Sequence, residues 1–403
     1  MKKKDLLLYI VLLTFPFVDF LSSIATWEGW PSIGVLYKGI FILGCLGYLL
    51  KNKLLSWKVV GVLFGYGILV SIFYIQADYS LGTELSNLIK IFFLPTLILF
   101  FSKYKNSYIN KKTVMILSVM YLLLYLLPYP FHLGHNMNEL YPNKNMYLSY
   151  FYIGNELANV FILLVPIALL YFIEEKKYSW LCFYSVLVIL MAYLLGTKTM
   201  YLSILLVFLY FLWHYRLELI PKIKKHCKVI GVSFLFIVTL LFFIIPKTDF
   251  YQNIKTTLEY YEINSWEDVF TVQSIDNLIY SNRLDFWVSV HERYEEESLA
   301  VKVFGLGRGT ILQIKDIEID ILDIFYSIGI LGTIIYLWYF WYVYNMQKIR
   351  GIYKFLFGLF GVISLFAGHV LLSPMVSTYV ALLFGLNYNE RSEGCETLDK
   401  KSN

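Results

Sequence analysis

Residues 1–24 read MKKKDLLLYIVLLTFPFVDFLSSI: lysines at 2–4, then a run over 6–24 that is apolar almost throughout. A bilayer core takes roughly 20 mostly apolar residues per helix, and this run has that length. Its lysine flank resembles the start of a signal peptide. No small-residue cleavage site follows, however, and a second apolar run begins at residue 33, so the first is expected to be a retained helix. Similar runs recur at 33–50, 57–76, 86–102, 113–129, 156–173, 178–195, 199–214, 228–246, 321–344, 354–372 and 374–388. The expected fold is all-α: a polytopic integral membrane protein of about twelve transmembrane helices.

Composition agrees. Of 403 residues, 58% are hydrophobic and 16% charged, and the mean hydropathy is +0.61. Soluble domains carry about 25% charged residues, so an ordinary soluble domain, a disordered chain and a nucleic-acid-binding domain are excluded. The net charge of +5 is informative through its placement. With the N-terminus taken as cytoplasmic, 23 of the 34 Lys and Arg fall on that side and 9 on the other, with Lys38 and Lys90 inside spans. Cytoplasmic loops are enriched in Lys and Arg, so both termini are expected in the cytoplasm. The four cysteines, Cys45, Cys182, Cys227 and Cys395, form no CxxC pair, which argues against a disulfide framework or a zinc site.

The expected organisation is an N-terminal bundle over 1–246 (about nine spans), a long extracytoplasmic loop over 247–320, closing spans over 321–388 and a short tail over 389–403. A connection of that length is usually functional or disordered. This one places Leu284, Trp287, Val288 and His291 at helical spacing, so it should be partly helical.

Candidate chemistry gathers at one side of the membrane. Lys38 and Lys90 would bind an anionic head group or snorkel to the interface. Gly196-Thr197-Lys198-Thr199 is a tight turn able either to present Lys198 to an anion or simply to cap a helix. Arg283 and Trp287 open a helical stretch that continues through His291 and Arg293. In Phe304-Gly305-Leu306-Gly307-Arg308-Gly309 the glycines should form a turn with exposed N–H groups beside Arg308; no βαβ pattern surrounds them, so this is not a dinucleotide fingerprint. Glu318, Asp320 and Asp323 crowd the start of the tenth span, either complementing its dipole or supplying a general base beside Arg283, Arg293 and Arg308. His369 within the eleventh span, and His132 and His135, are weaker candidates. No HExxH, paired CxxC or EF-hand pattern indicates a metal.

This layout resembles the O-antigen polymerase and O-antigen ligase family of bacterial GT-C membrane glycosyltransferases. The resemblance spans the whole chain and is sharpest over about 190–335. Gly196-Thr197-Lys198 stands where the family has a Gly-Ser-Arg-like turn. Arg283 and Trp287 match its Arg and Trp, Gly305 and Gly307 its Gly-x-Gly, and Gly329-Ile330-Leu331-Gly332 its Gly-hydrophobic-hydrophobic-Gly. At the family's His-Asn position this chain has Glu318-Ile319, with Asp320 next to them, so a carboxylate must take the histidine's role. The variant is closer to capsule and exopolysaccharide polymerases than to lipopolysaccharide ligases.

The resemblance implies a donor and an acceptor that are both polyprenyl-pyrophosphate-linked oligosaccharides, used at the outer face of a bacterial cytoplasmic membrane. Arg283, Lys198, Lys90 and Arg308 would hold pyrophosphate, Glu318 or Asp320 would orient or deprotonate the attacking hydroxyl, and Trp287 would contact substrate. No cofactor is required. The expected partners are the lipid-linked oligosaccharide, the lipid bilayer and other polysaccharide export components, with no nucleic acid. Two alternatives share much of this pattern: ligase-like transfer of finished polymer to another acceptor, and a flippase for lipid-linked oligosaccharides.

Overall fold

A computed structural model describes residues 3–104, 106, 108–139, 146–216, 283–366, 368 and 370–399. The expected ninth span at 228–246, the first half of the expected loop, Lys144 and His369 lie outside the described residues. The helices are α1 (Lys3–Trp27), α2 (Ile33–Lys51), α3 (Trp57–Gln76), α4 (Leu81–Lys103), α5 (Lys111–Leu126), α6 (Gly154–Glu174), α7 (Tyr178–Leu195), α8 (Lys198–His214), α9 (Arg283–Glu296), α10 (Leu299–Phe304), α11 (Arg308–Ile314), α12 (Asp320–Asn345), α13 (Ile352–Phe366) and α14 (Pro374–Asp399). Two very short antiparallel strands, His135–Asn136 and Tyr147–Ser149, pair within the 127–153 connection. The all-α expectation holds.

Among the described residues eight helices, α1–α7 and α12, are long and apolar enough to cross a membrane; α8 and α13 are shorter apolar helices. Helices apolar on every side must be buried in protein or in lipid, and burial separates the two cases. In α4 and α6, 72% and 89% of the apolar window is buried, against 22% in α1 and α3. The α4 and α6 helices therefore form the centre, with α14 packed on both, while the outer helices turn Leu, Ile and Phe side chains outward. Short turns alternate the helix directions. The ends of α1, α3, α5 and α7 thus meet the starts of α2, α4, α6, α8, α12 and α14 at one end of the bundle, and α9–α11 lie at this end.

Two departures from the expected spans shape that end. The tenth span is not one helix: Gly329 sits at φ 66° and ψ −171°, breaking α12. A break frees carbonyls that must find other donors. The Tyr326 carbonyl accepts from Leu306 N–H (2.8 Å) and Ser327 from Gly307 N–H (3.3 Å). The Tyr74 hydroxyl also reaches Ser327, and Tyr66 reaches Ile328, each at 3.3 Å. The eleventh span stops at Phe366 rather than continuing to 372. Gly368 (φ +59°) lies so close to the Glu318 carbonyl oxygen that a Cβ there would come within 2.2 Å of it. The chain then crosses the start of α12 and re-enters helix at Pro374, a favoured first helical position, where the Ser373 hydroxyl accepts from Val376 N–H.

Lys38 is spent within the bundle. Its ammonium is paired with Asp19 of α1, and both side chains are buried. Asp19 also accepts from the Tyr121 hydroxyl at 2.5 Å, and Tyr121 in turn accepts from Tyr379 at 3.0 Å. The network joins α1, α2, α5 and α14. Removing one partner of a buried pair strands the other charge. Asp19→Leu is therefore expected to destabilise the protein by about 3–5 kcal/mol, and Asp19→Leu with Lys38→Leu to recover most of that loss, read as melting midpoints in detergent.

Candidate active site

Arg283 is the first described residue of α9 and is buried. One guanidinium nitrogen donates to Glu318 Oε2 at 2.9 Å and another to the Phe366 carbonyl at 3.2 Å. Glu318 is a non-glycine residue with φ +59°, in the left-handed region. Such a conformation costs of order 1 kcal/mol and persists only where the surroundings impose it, a pattern that clusters at active sites. Gly368 against its carbonyl and Arg283 on its carboxylate impose it here. The Glu318 side chain remains 31% exposed, so the pair opens onto the surface at this end.

The same face of α9 continues through Trp287 and His291. The Trp287 indole N–H donates to the Tyr326 hydroxyl at 2.9 Å, and His291 Nδ1 lies 3.0 Å from that hydroxyl. Tyr326 is on α12, so this contact fixes α9 against the broken helix. Burial raises the pKa of the Tyr294 hydroxyl, which donates to the Lys302 carbonyl at 2.9 Å.

The glycine turn differs from expectation. Its N–H groups are not offered to a ligand. Gly305 donates to Val301, Leu306 to Tyr326 and Gly307 to Ser327. Arg308 and Gly309 donate to the two carboxylate oxygens of Glu84, at 2.7 and 2.8 Å. Gly305 and Gly307 serve close approach instead: a Cβ on Gly305 would come within 2.3 Å of the Ser327 carbonyl oxygen, and one on Gly307 within 2.9 Å of Glu84. Glu84, in the first turn of α4, thereby clamps the start of α11.

The remaining candidates sort by what holds them. Arg308 is ion-paired to Asp316, with Asp323 at 3.9 Å, so its charge is balanced within the protein. Asp323 accepts from Ile317 N–H at 3.3 Å. Asp320 accepts from Val370 and Leu371 N–H groups at 2.9 and 2.8 Å and is buried, which makes it a tie between α12 and the 368–373 crossing. Arg293 forms an exposed i,i+4 pair with Glu297 at 2.6 Å. Thr197 caps α8 through Met200 N–H, leaving Lys198 exposed at the same end of the bundle as Arg283. Lys90 lies within the electrostatic reach of Arg308, Glu156 and Asp316. The structure therefore joins Arg283 to Glu318, with Trp287 on the same helix face as Arg283, while Lys38 is spent on Asp19, Arg293 on Glu297 and Arg308 on Asp316. Among the described residues no group of His, Cys, Asp and Glu could hold a metal ion.

The family model for O-antigen ligase like membrane proteins matches residues 1–269 and, in a second stretch, 264–388. The chain belongs to this family. Membership supports a polysaccharide-related role at a membrane, of ligase or polymerase type, and a membrane glycosyltransferase-like enzyme. No curated protein and no solved structure matches the chain.

Within the family frame, sequence reasoning missed Glu84, Asp19 and Gly368. Asp19 carried a usable signal, an acidic residue in the middle of an apolar run. Glu84 carried little: its partners are 224 and 225 residues away. Glu84→Ala leaves two N–H groups without their acceptor. Both donors are part-buried, so the loss is expected to be about 1–3 kcal/mol in all, with Glu84→Gln costing less, read as a lowered melting midpoint.

Proposed function

We propose that the protein is a polysaccharide polymerase joining polyprenyl-pyrophosphate-linked repeat units, with Arg283 and Glu318 at its reaction centre. The observation that carries this reading is the Arg283–Glu318 pair: a buried guanidinium beside a carboxylate held in a left-handed backbone, at the position where the family places a histidine. The distribution of lysines and arginines supports reading this end of the bundle as the outer one.

In the proposed step, a hydroxyl oxygen of the acceptor sugar attacks the anomeric carbon of the donor. The bond from that carbon to the pyrophosphate oxygen breaks, and the pyrophosphate leaves with the electron pair. Glu318 takes the hydroxyl proton. Arg283 stabilises the charge developing on the leaving group, a task suited to its planar fork of donors. Lys198, exposed at the same end, adds a second cation for the pyrophosphate. Trp287, oriented by Tyr326, offers a ring face to the first sugar. Asp320 holds the crossing chain that shapes Glu318 and is a positioning residue.

Purified protein in detergent, given lipid-linked repeat units, is expected to produce a ladder of lengths on polyprenyl pyrophosphate. A single transfer to a different acceptor would instead make it a ligase, and lipid-linked material unchanged in length would leave the flippase reading. Arg283→Ala is expected to lower polymer formation by about 10²–10³-fold with membrane level unchanged. Glu318→Gln is expected to lower kcat by about 10²–10⁴-fold. Asp320→Asn should instead act mainly on the melting midpoint. Equal and full activity in both carboxylate variants would remove both from the chemistry.

A further inference from the structure

The reaction proposed above gives His291 no task. Trp287 and His291 follow Arg283 at successive turns of α9, about 6 and 12 Å from it along the helix axis. Both converge on the Tyr326 hydroxyl of α12, Trp287 Nε1 at 2.9 Å and His291 Nδ1 at 3.0 Å. Tyr326 is 3% exposed, whereas His291 lies on the exposed side of α9. Among the described residues no hydrogen bond reaches His291 Nε2.

The protons of this trio can be counted. An indole N–H only donates, so it takes one lone pair of the Tyr326 oxygen. The phenol has one proton of its own, and His291 Nδ1 is the acceptor within reach. If Nδ1 donated instead, the buried phenol proton would be left without an acceptor, a costly arrangement. Tyr326 therefore donates to Nδ1. A neutral imidazole that accepts at Nδ1 carries its proton on Nε2. The buried tyrosine thus fixes how the exposed histidine presents itself, as an N–H donor facing away from α12.

The surroundings select what that donor meets. The Trp287 and His291 ring centroids are 6.0 Å apart, so a sugar lying on the indole brings its hydroxyls level with the imidazole edge. Trp287 is only half-buried, which leaves part of its ring reachable. An anion is disfavoured. The α9 helix carries Asp285, Glu292, Glu295 and Glu296 against Arg283 and Arg293. Both arginines are spent on other carboxylates, Glu318 and Glu297, and Lys302 offsets Glu295 alone. A phosphate beside His291 would face this negative charge, whereas a neutral hydroxyl oxygen accepts the N–H without that penalty.

We propose that His291 is a substrate-binding residue: its outward Nε2–H donates to a hydroxyl of the neutral sugar stacked on Trp287. Tyr326 is the positioning residue that sets the tautomer. This rests on the glycosyltransferase reading and deepens it, by naming a contact that selects the sugar rather than the pyrophosphate.

Two substitutions separate the outward nitrogen from the inward one. Asn places its amide where Nδ1 stands, so His291→Asn keeps an acceptor for Tyr326 and loses the outward donor. Gln places its amide where Nε2 stands, so His291→Gln keeps the outward donor and loses the acceptor for Tyr326. Full-length protein in detergent is given two probes, the lipid-linked repeat unit extracted from the source cells and farnesyl pyrophosphate, which has no sugar. His291→Asn is expected to weaken repeat-unit binding about fivefold, the worth of one neutral hydrogen bond, and to raise KM by the same factor with kcat held. His291→Gln is expected to bind the repeat unit as the wild type does, and neither variant to lose farnesyl pyrophosphate binding. The reverse order, Gln weakened and Asn intact, would make His291 a structural partner of Tyr326 and overturn the proposal. Repeat-unit binding unchanged in both variants would overturn it too, as would an equal loss of farnesyl pyrophosphate, the sign of an anion site. In those three cases wild-type protein still elongates the repeat unit and the glycosyltransferase reading stands. Wild-type protein that neither binds nor elongates the repeat unit would overturn both.

Discussion

The structure depends on one backbone-to-backbone crossing. At Gly329 the α12 helix breaks, and Gly305 lies against the break so closely that a Cβ on Gly329 would come within 2.5 Å of the Gly305 nitrogen. Neither position tolerates a side chain, and each opens hydrogen-bonding groups that the other satisfies. Leu306 and Gly307 take the carbonyls of Tyr326 and Ser327, and Tyr66 and Tyr74 of α3 approach from the far side. A broken helix in an apolar bundle is tolerated only where protein re-satisfies its freed groups. The turn after α10 therefore has one permitted place, and everything attached to it follows: the clamp of Glu84 on α11, the Arg308–Asp316 pair and the approach of α9 to Tyr326.

This constraint also divides the charged residues. Those that stabilise the arrangement are consumed by it: Glu84 by two N–H groups, Asp320 by two others, Lys38 by Asp19 and Arg308 by Asp316. Arg283 and Glu318 differ. They are joined to each other, yet the carboxylate stays partly exposed and its backbone is held in a conformation that folding alone would not favour. Their charge is placed where it costs stability and stays within reach of the surface.

The membrane fold was legible because it rests on a property summed over many residues. Long apolar runs identify their own helices, and eleven of the twelve expected spans fall on described helices. That a carboxylate at the start of the tenth span lies beside Arg283 was expected from residue type, and Glu318 pairs with it. The roles of Gly305 and Gly307 were not legible, because a glycine-rich turn reads the same whether its N–H groups meet a ligand or another stretch of backbone. The break in α12 was hidden for a related reason: Gly329 lies in an apolar run that hydropathy cannot distinguish from a continuous helix. Asp19 could have been noticed, but its pairing with Lys38 across α1 and α2 depends on helix rotation, which a hydropathy window does not report.

The crossing at Gly329 lies nine residues into α12, about 13 Å from Asp320 along the helix axis. The turn from Gly305 to Gly309 therefore sits beside the inner turns of α12 instead of resting above its first. Within the segment from Arg283 to Ile319, the turn at Leu306 and Gly307 is the part held against α12, its N–H groups spent on the Tyr326 and Ser327 carbonyls. It cannot be lifted away as a separate water-soluble unit without exposing both its own N–H groups and the freed carbonyls of α12.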